Sequence, residues 1–423
     1  MKRIAVLLFL LCSSWSATAG LSDAEDAYRH GKYAEALKEY TRLAEAGFKN
    51  AHFMLAMMYA NGQGVARDEA KVIEHGTIAA NNGELAGISL IAAVYSAKHS
   101  TFRDKEKALY WLNRGVELKD TNSMRMLSRQ YRVGDLVEKD LPKAFSLMKD
   151  AYDREDSLAV VELGEMYEDG IGVAPDPDKA RALYQRAVTG RAQPETHYRL
   201  ATLLEKRNAS SANLYKAFHH YQVAARGGNV PAMLAMGRMY ENGLAVPVDY
   251  LQAAVWYERA ANHGNAQALF NGGRLFEKGL GAKQNTQEAF NWFSEGAALK
   301  HGASIRRIGR YADEGRLQPA DHGSAALEYC KATFAEAKQW GPLLLKKDRS
   351  AAETDTVIAH GAILESCPAL PAEQQGTRQK MMASINTALD SGARARMQQL
   401  AAAMKTKGNV TAPLLAFIKL DGD

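Results

Sequence analysis

The chain has 423 residues, 47% of them hydrophobic and 24% charged, with 34 Gly and 11 Pro, which excludes collagen-like and disordered classes. The length suffices for two or three globular domains or one long array. A formal net charge of +5 without a clustered basic face does not point to nucleic acid.

The first element is a leader. Met1-Lys2-Arg3 is a positive start, Ile4 to Leu11 is a short apolar run, and Ala17-Thr18-Ala19 is a small-x-small cleavage pattern. A secretory signal peptide over residues 1–19 is expected, with the mature chain starting near Gly20. The run is too short for a membrane span, which needs about 20 apolar residues. Cys12 raises lipid modification as an alternative, yet Leu11 stands where lipoprotein signals carry a small residue. No later stretch is long and apolar enough to span a bilayer, so a soluble exported protein, most simply periplasmic, is expected.

From Lys32-Tyr33-Ala34-Glu35-Ala36 onward the sequence repeats. Asp or Asn recurs at Asp68, Asp104, Asp140, Asp176, Asn213, Asp249, Asn285 and Asp321, every 36 residues except for one step of 37. Nine residues before each lies a second series, mostly aromatic: Tyr59, Tyr95, Tyr131, Tyr167, Leu204, Tyr240, Phe276 and Ala312. The odd step falls in the Thr189 to Pro194 turn, as a loop insertion would. Each unit reads as two helices. Gly62, Gly134, Gly170, Gly243 and Gly279 end the first through a left-handed residue, and the Asp/Asn series caps the second. Offsets 4, 8 and 11 from each cap carry small, large and small residues on one helical face, as in Ala253, Tyr257 and Ala260. Nine hairpins follow, each dependent on its neighbours because a lone hairpin cannot bury both faces.

After Trp340-Gly341-Pro342 the period stops, and Ser350 to Glu365, Ala372 to Leu389 and Ala393 to Met404 read as helices. Residues 341–423 are therefore expected to be an α-helical C-terminal cap on an array over 22–340; residues 409–423 show no period. Cys330 and Cys367 remain after leader removal, and an even pair in an oxidising compartment predicts one disulfide. Cys330 sits nine residues after its cap and is expected to face away from the repeat core.

Segments such as Leu163-Gly164-Glu165-Met166-Tyr167-Glu168-Asp169-Gly170 and Ala253 to Ala266 resemble the SLR (Sel-one-like repeat) family, a relative of the tetratricopeptide repeat. The resemblance covers about residues 22 to 335, weakest at Ser96 to Phe102, Val133 to Asp135 and Lys206 to Ser211. It implies an all-α, right-handed superhelical α-solenoid whose concave face, lined by the first helices, binds protein partners. Exported members resemble scaffolds of exopolysaccharide secretion and flagellar-motor accessory proteins. The resemblance also leaves two other classes, a β-lactam-binding or hydrolysing enzyme and a carbohydrate-binding module.

No catalytic constellation, cofactor fingerprint or metal motif stands out. Gly62/Gly64, Gly170/Gly172 and Gly279/Gly281 lack the third glycine and follow helices. Ser146-x-x-Lys149 lacks the companion motifs of penicillin-binding enzymes. His197 with His219-His220 has no helical metal-ligand spacing, and His263, His301, His322 and His360, each before Gly, read as helix C-termini. On the first helices, Arg238/Glu241, Arg274/Glu277 and Arg310/Asp313 read as i,i+3 ion pairs. Arg125, Arg129 and Arg132 share one stripe with no acid on it, which points to an acidic partner or an anionic polysaccharide. The binding candidates are thus Arg125, Arg129, Arg132, Arg238, Arg274 and Arg310, on a non-enzymatic envelope scaffold.

Overall fold

A computed structural model describes residues 20–190, 192–206, 210–317, 321–346, 348–367 and 372–407. The leader with Cys12, and residues 409–423, lie outside them. All regular structure among the described residues is helical. The chain divides into two compact units, one up to Ala192 and one from Gln193. The boundary falls at the single 37-residue step.

The first unit holds five hairpins: α1 (20–29) with α2 (Tyr33–Glu45), α3 (Lys49–Asn61) with α4 (Glu69–Asn81), α5 (Leu85–Ser96) with α6 (Lys105–Glu117), α7 (Thr121–Val133) with α8 (Leu141–Asp153), and α9 (Ser157–Asp169) with α10 (Pro177–Ala187). The second holds four: α11 (Pro194–Lys206) with α12 (Ser211–Arg226), α13 (Val230–Asn242) with α14 (Tyr250–Asn262), α15 (Ala266–Lys278) with α16 (Thr286–Ala298), and α17 (Gly302–Glu314) with α18 (His322–Ala335). It continues through α19 (Ala337–Trp340), a 3-10 turn (Gly341–Leu345), α20 (Ala351–Ser366), α21 (Ala372–Ala388) and α22 (Ser391–Lys407). The nine expected hairpins are present.

Their ends follow the cap chemistry. Asp68, Asp104, Asp140, Asp176, Asp249 and Asn285 each accept a hydrogen bond from the backbone N–H three residues on. Asn213 does not. Ser210 caps α12 instead, accepting from the Asn213 N–H, so this helix starts three residues early and Asn213 lies inside it. A second cap series starts the first helices, at Asp120, Asp156, Asn229, Asn265 and His301. His301 therefore opens a helix, α18 begins at His322, and His360 lies within α20. Of the four His-Gly positions only His263 stands at a helix C-terminus; His301 is itself an N-cap, His322 is the first residue of its helix and His360 is interior.

The small-large-small stripe is the core. Ala180, Tyr184, Ala253, Tyr257, Ala260, Ala289 and Phe293 are fully buried. Small size is required on both sides: a Cβ on Gly273 would come within 2.6 Å of the Phe293 ring, and one on Gly164 within 2.7 Å of the Tyr184 ring. The rings fill the space that glycine leaves, and the close packing supplies the stability.

The tail helices α20 and α22 pack with α18 and Trp340 in a cluster that includes Val357, Ile358, Leu364, Ile385 and Met397. The predicted Cys330–Cys367 disulfide is there, with Cα atoms 5.9 Å apart. Cys330 is buried, not outward-facing to solvent, because the tail covers that face of α18.

Candidate functional site

The six candidate arginines lie on the first helices, and most are engaged by the neighbouring hairpin. Arg125 on α7 is buried; its Nε stands 3.0 Å from Asp156 Oδ2, its Nη1 3.1 Å from Glu162 Oε1, and its Nη2 donates to Asn122. Arg129 donates twice to the same Glu162, at 3.0 and 2.7 Å. Two like charges thus share Glu162 of α9, one repeat on, and Arg125 also meets the Asp156 cap of that helix. Burial works against ionised Asp156, but the Thr121 hydroxyl, the helix-start N–H groups and Arg125 hold its pKa below the usual carboxylate value. The inference that this stripe lacks a structural motive is corrected: its partner charges are 31 to 37 residues away, beyond any single-helix pattern. Arg132 is half-exposed, with no carboxylate partner among the described residues.

The second unit repeats one motif. Glu205 Oε2 accepts from the Tyr221 hydroxyl at 2.8 Å and from Arg238 Nη2 at 2.7 Å. Glu241 accepts from Tyr257 at 2.5 Å and lies 3.5 Å from Arg274. Each glutamate therefore ties its own second helix to the first helix of the next hairpin. Burial, then the adjacent carboxylate, raises both tyrosines far above the ordinary phenol value. The expected i,i+3 pairs Arg238/Glu241 and Arg274/Glu277 are replaced by this ladder, since the preceding hairpin offers a carboxylate already held by a tyrosine. Glu277 instead meets Arg307 at 3.2 Å and Arg316 at 2.9 Å. Arg310 and Asp313 are both buried.

Along this ladder runs a groove of about 390 Å³ that crosses three successive first helices. Tyr198 and Thr202 come from α11, Leu234 and Arg238 from α13, and Gln267 and Asn271 from α15. The wall carries donors, acceptors and apolar surface together. Sequence reasoning found Arg238 but did not single out Tyr198, Thr202, Leu234, Gln267 or Asn271, which follow no one repeat series.

Elsewhere, Ser146 is exposed and Lys149 pairs with Asp153 at 2.5 Å, so no Ser–Lys dyad is held in place. His197 and His220 do meet, Nδ1 to Nδ1 at 3.1 Å. Burial, with His197 and His219 adding, pushes His220 down to about 4. Among the described residues no three His, Cys, Asp or Glu side chains gather as a metal site.

The arrangement defines a repeat solenoid built for surface contact. The Sel1 repeat family matches residues 49–84, 97–120, 121–156, 157–190, 194–229, 230–265 and 266–301, more than half of the chain, and the protein belongs to that family. The hairpins α1/α2 and α17/α18 fall outside those matches but have the same form. The solved structure of c5321, a protective antigen of uropathogenic Escherichia coli with an SLR fold, superposes with a TM-score of 0.67 at 22% identity, over 96% of this chain and 86% of that one. A Sel1 repeat protein from Oxalobacter formigenes is 23% identical, with a TM-score of 0.47, over 62% of this chain and all of its own. The uncharacterized protein NMB1327 of Neisseria meningitidis serogroup B is 26% identical over 148 residues, 35% of this chain and only 31% of that protein. The family fold is one of scaffolds and protein interaction. No helix among the described residues is long and apolar enough to cross a membrane.

Proposed function

We propose that this protein is a non-enzymatic, exported scaffold that binds other cell-envelope proteins through the exposed face of its first helices. The groove across α11, α13 and α15 carries the reading, because its walls are pre-formed by the Tyr–Glu–Arg ladder and its lining mixes polar and apolar groups as protein-binding surfaces do. Arg129, Arg132 and Arg238 keep exposure enough to contribute to an acidic partner; Arg125 and Arg310 are buried and serve the scaffold. The leader-like start of the sequence supports export. Site-specific photocrosslinking in intact cells tests both parts. Probes at Thr202, Leu234 and Asn271 are expected to trap one defined envelope protein, and a probe at exposed Glu258 on the opposite helix is not. Equal crosslinking from both faces, or capture only of cytoplasmic proteins, overturns the reading.

A further inference from the structure

One register, seven residues before the first-helix series and seven after the second-helix cap series, places one residue on each helix of every hairpin from α3/α4 to α17/α18, where the last pair is Ile305/Glu328. In α5/α6, α7/α8, α9/α10, α13/α14 and α15/α16 the pair is apolar: Ile88/Trp111, Met124/Leu147, Val160/Leu183, Met233/Trp256 and Leu269/Trp292. In α3/α4 and α11/α12, one hairpin in each unit, it is His52/His75 and His197/His220. Both members are exchanged together, twice.

The two pairs have the same geometry. Nδ1 faces Nδ1 at 3.0 Å in the first and 3.1 Å in the second, a hydrogen bond in the metal-free chain whose one proton a bound metal ion would replace, with ring centroids 5.3 Å apart in both and interplanar angles of 33° and 36°. A metal bound at roughly 2.0–2.1 Å from each nitrogen would set two cis ligands about 2.9 Å apart at a right angle and about 3.3 Å apart in a tetrahedron. Both observed separations lie within that range. All four rings are half-buried, held by helix packing yet reachable from solvent.

We propose that His52/His75 and His197/His220 are two equivalent two-imidazole sites for a divalent transition-metal ion. Imidazole nitrogens in a cis arrangement suit Cu(II) best, by ligand type and by its place at the top of the divalent affinity order. With no third protein ligand grouped there among the described residues, water completes the coordination. This site is independent of the scaffold reading and uses none of the groove residues.

The test is titration of the full, chelator-stripped chain with copper(II) sulfate, followed by calorimetry and electron paramagnetic resonance. The wild type is expected to bind two ions, each with two-nitrogen coupling. Replacing a pair by the apolar pair of another hairpin, His52→Ile with His75→Trp or His197→Met with His220→Trp, is expected to lose one ion, and combining all four to lose both. Unchanged helical circular dichroism marks the variants as folded. The milder His75→Gln and His220→Gln substitutions keep a hydrogen-bonding group, and each is expected to weaken its site at least tenfold. A wild type without two-nitrogen coupling, or undiminished binding in the fourfold or Gln variants, assigns the copper to surface histidines such as exposed His219 and overturns the proposal.

Discussion

The hairpins from α3 to α18 and the helices α20 to α22 are both α-helical, but they are held by different means. In the hairpins, each contact is one of many equivalents: a fully buried alanine, a ring against a glycine, a capped helix start. In the tail, an apolar cluster is joined by single features that have no counterpart elsewhere in the described residues. One disulfide joins α18 to the end of α20, and one buried imidazole, His360, stacks on Trp340 with centroids 4.9 Å apart. Redundancy spreads the effect of a local change over neighbours, as expected for nearest-neighbour arrays. The tail has no such reserve, so the largest responses belong there.

The largest is loss of the cross-link. Opening a 37-residue loop by Cys330→Ala with Cys367→Ala should cost roughly 4 kcal/mol on the chain-entropy model. Amide hydrogen exchange is expected to quicken in α20 and α22 while the hairpins of the first unit keep their protection. Exchange that quickens everywhere would show that tail and array unfold as one and erase the contrast.

Acid sharpens the same contrast. Burial, with the Arg306 charge adding, pushes His360 from 6.5 down to about 3. A folded-state value below the unfolded one means the neutral ring contributes stability fully above pH 6.5, and that contribution is lost as pH falls toward 3. At pH 5 the loss is about 2 kcal/mol, from 1.36 kcal/mol per unit of pKa. Exchange in α20 measured between pH 7 and pH 5, corrected for intrinsic rates, should show it in the wild type and not in His360→Phe. A pH-independent wild type would remove His360 as the cause.

The smallest effects lie in the array. The turns after α2, α4, α6, α8, α12, α14 and α16 each hold one left-handed residue, Gly47, Gly83, Gly228 and Gly264 in four of them and Lys119, Glu155 and Lys300 in the others, these three with φ between 61° and 64°. A side chain there costs roughly 1–2 kcal/mol, partly offset by the flexibility of glycine when unfolded. Lys119→Gly and Lys300→Gly should each raise stability by about 1 kcal/mol or less, read as a higher urea midpoint. A lowered midpoint would show that those side chains do more than turn the chain.

Much of the array was legible in the sequence because helix period, cap and glycine turn all act within a few residues. The cap series from Asp68 to Asp321 located the second helices, except where Ser210 took the role from Asn213. The site was legible only in part. Arg238 and Glu205 are 33 residues apart, so their pairing depends on how hairpins stack, which no one-helix pattern records. The same holds for Arg125 with Asp156 and Glu162, where a stripe of apparent repulsion becomes a shared ion-pair network.

By itself, the sequence determined an all-helical repeat, its period, its one irregular step and the two cysteines able to pair, since local backbone chemistry and periodic burial suffice for these. Only the tertiary structure decided which carboxylate each arginine meets, that a groove opens across α11, α13 and α15, and that His52 faces His75 as His197 faces His220. Those outcomes depend on distances between residues about 20 to 40 positions apart, and such distances are set by side-chain packing between helices.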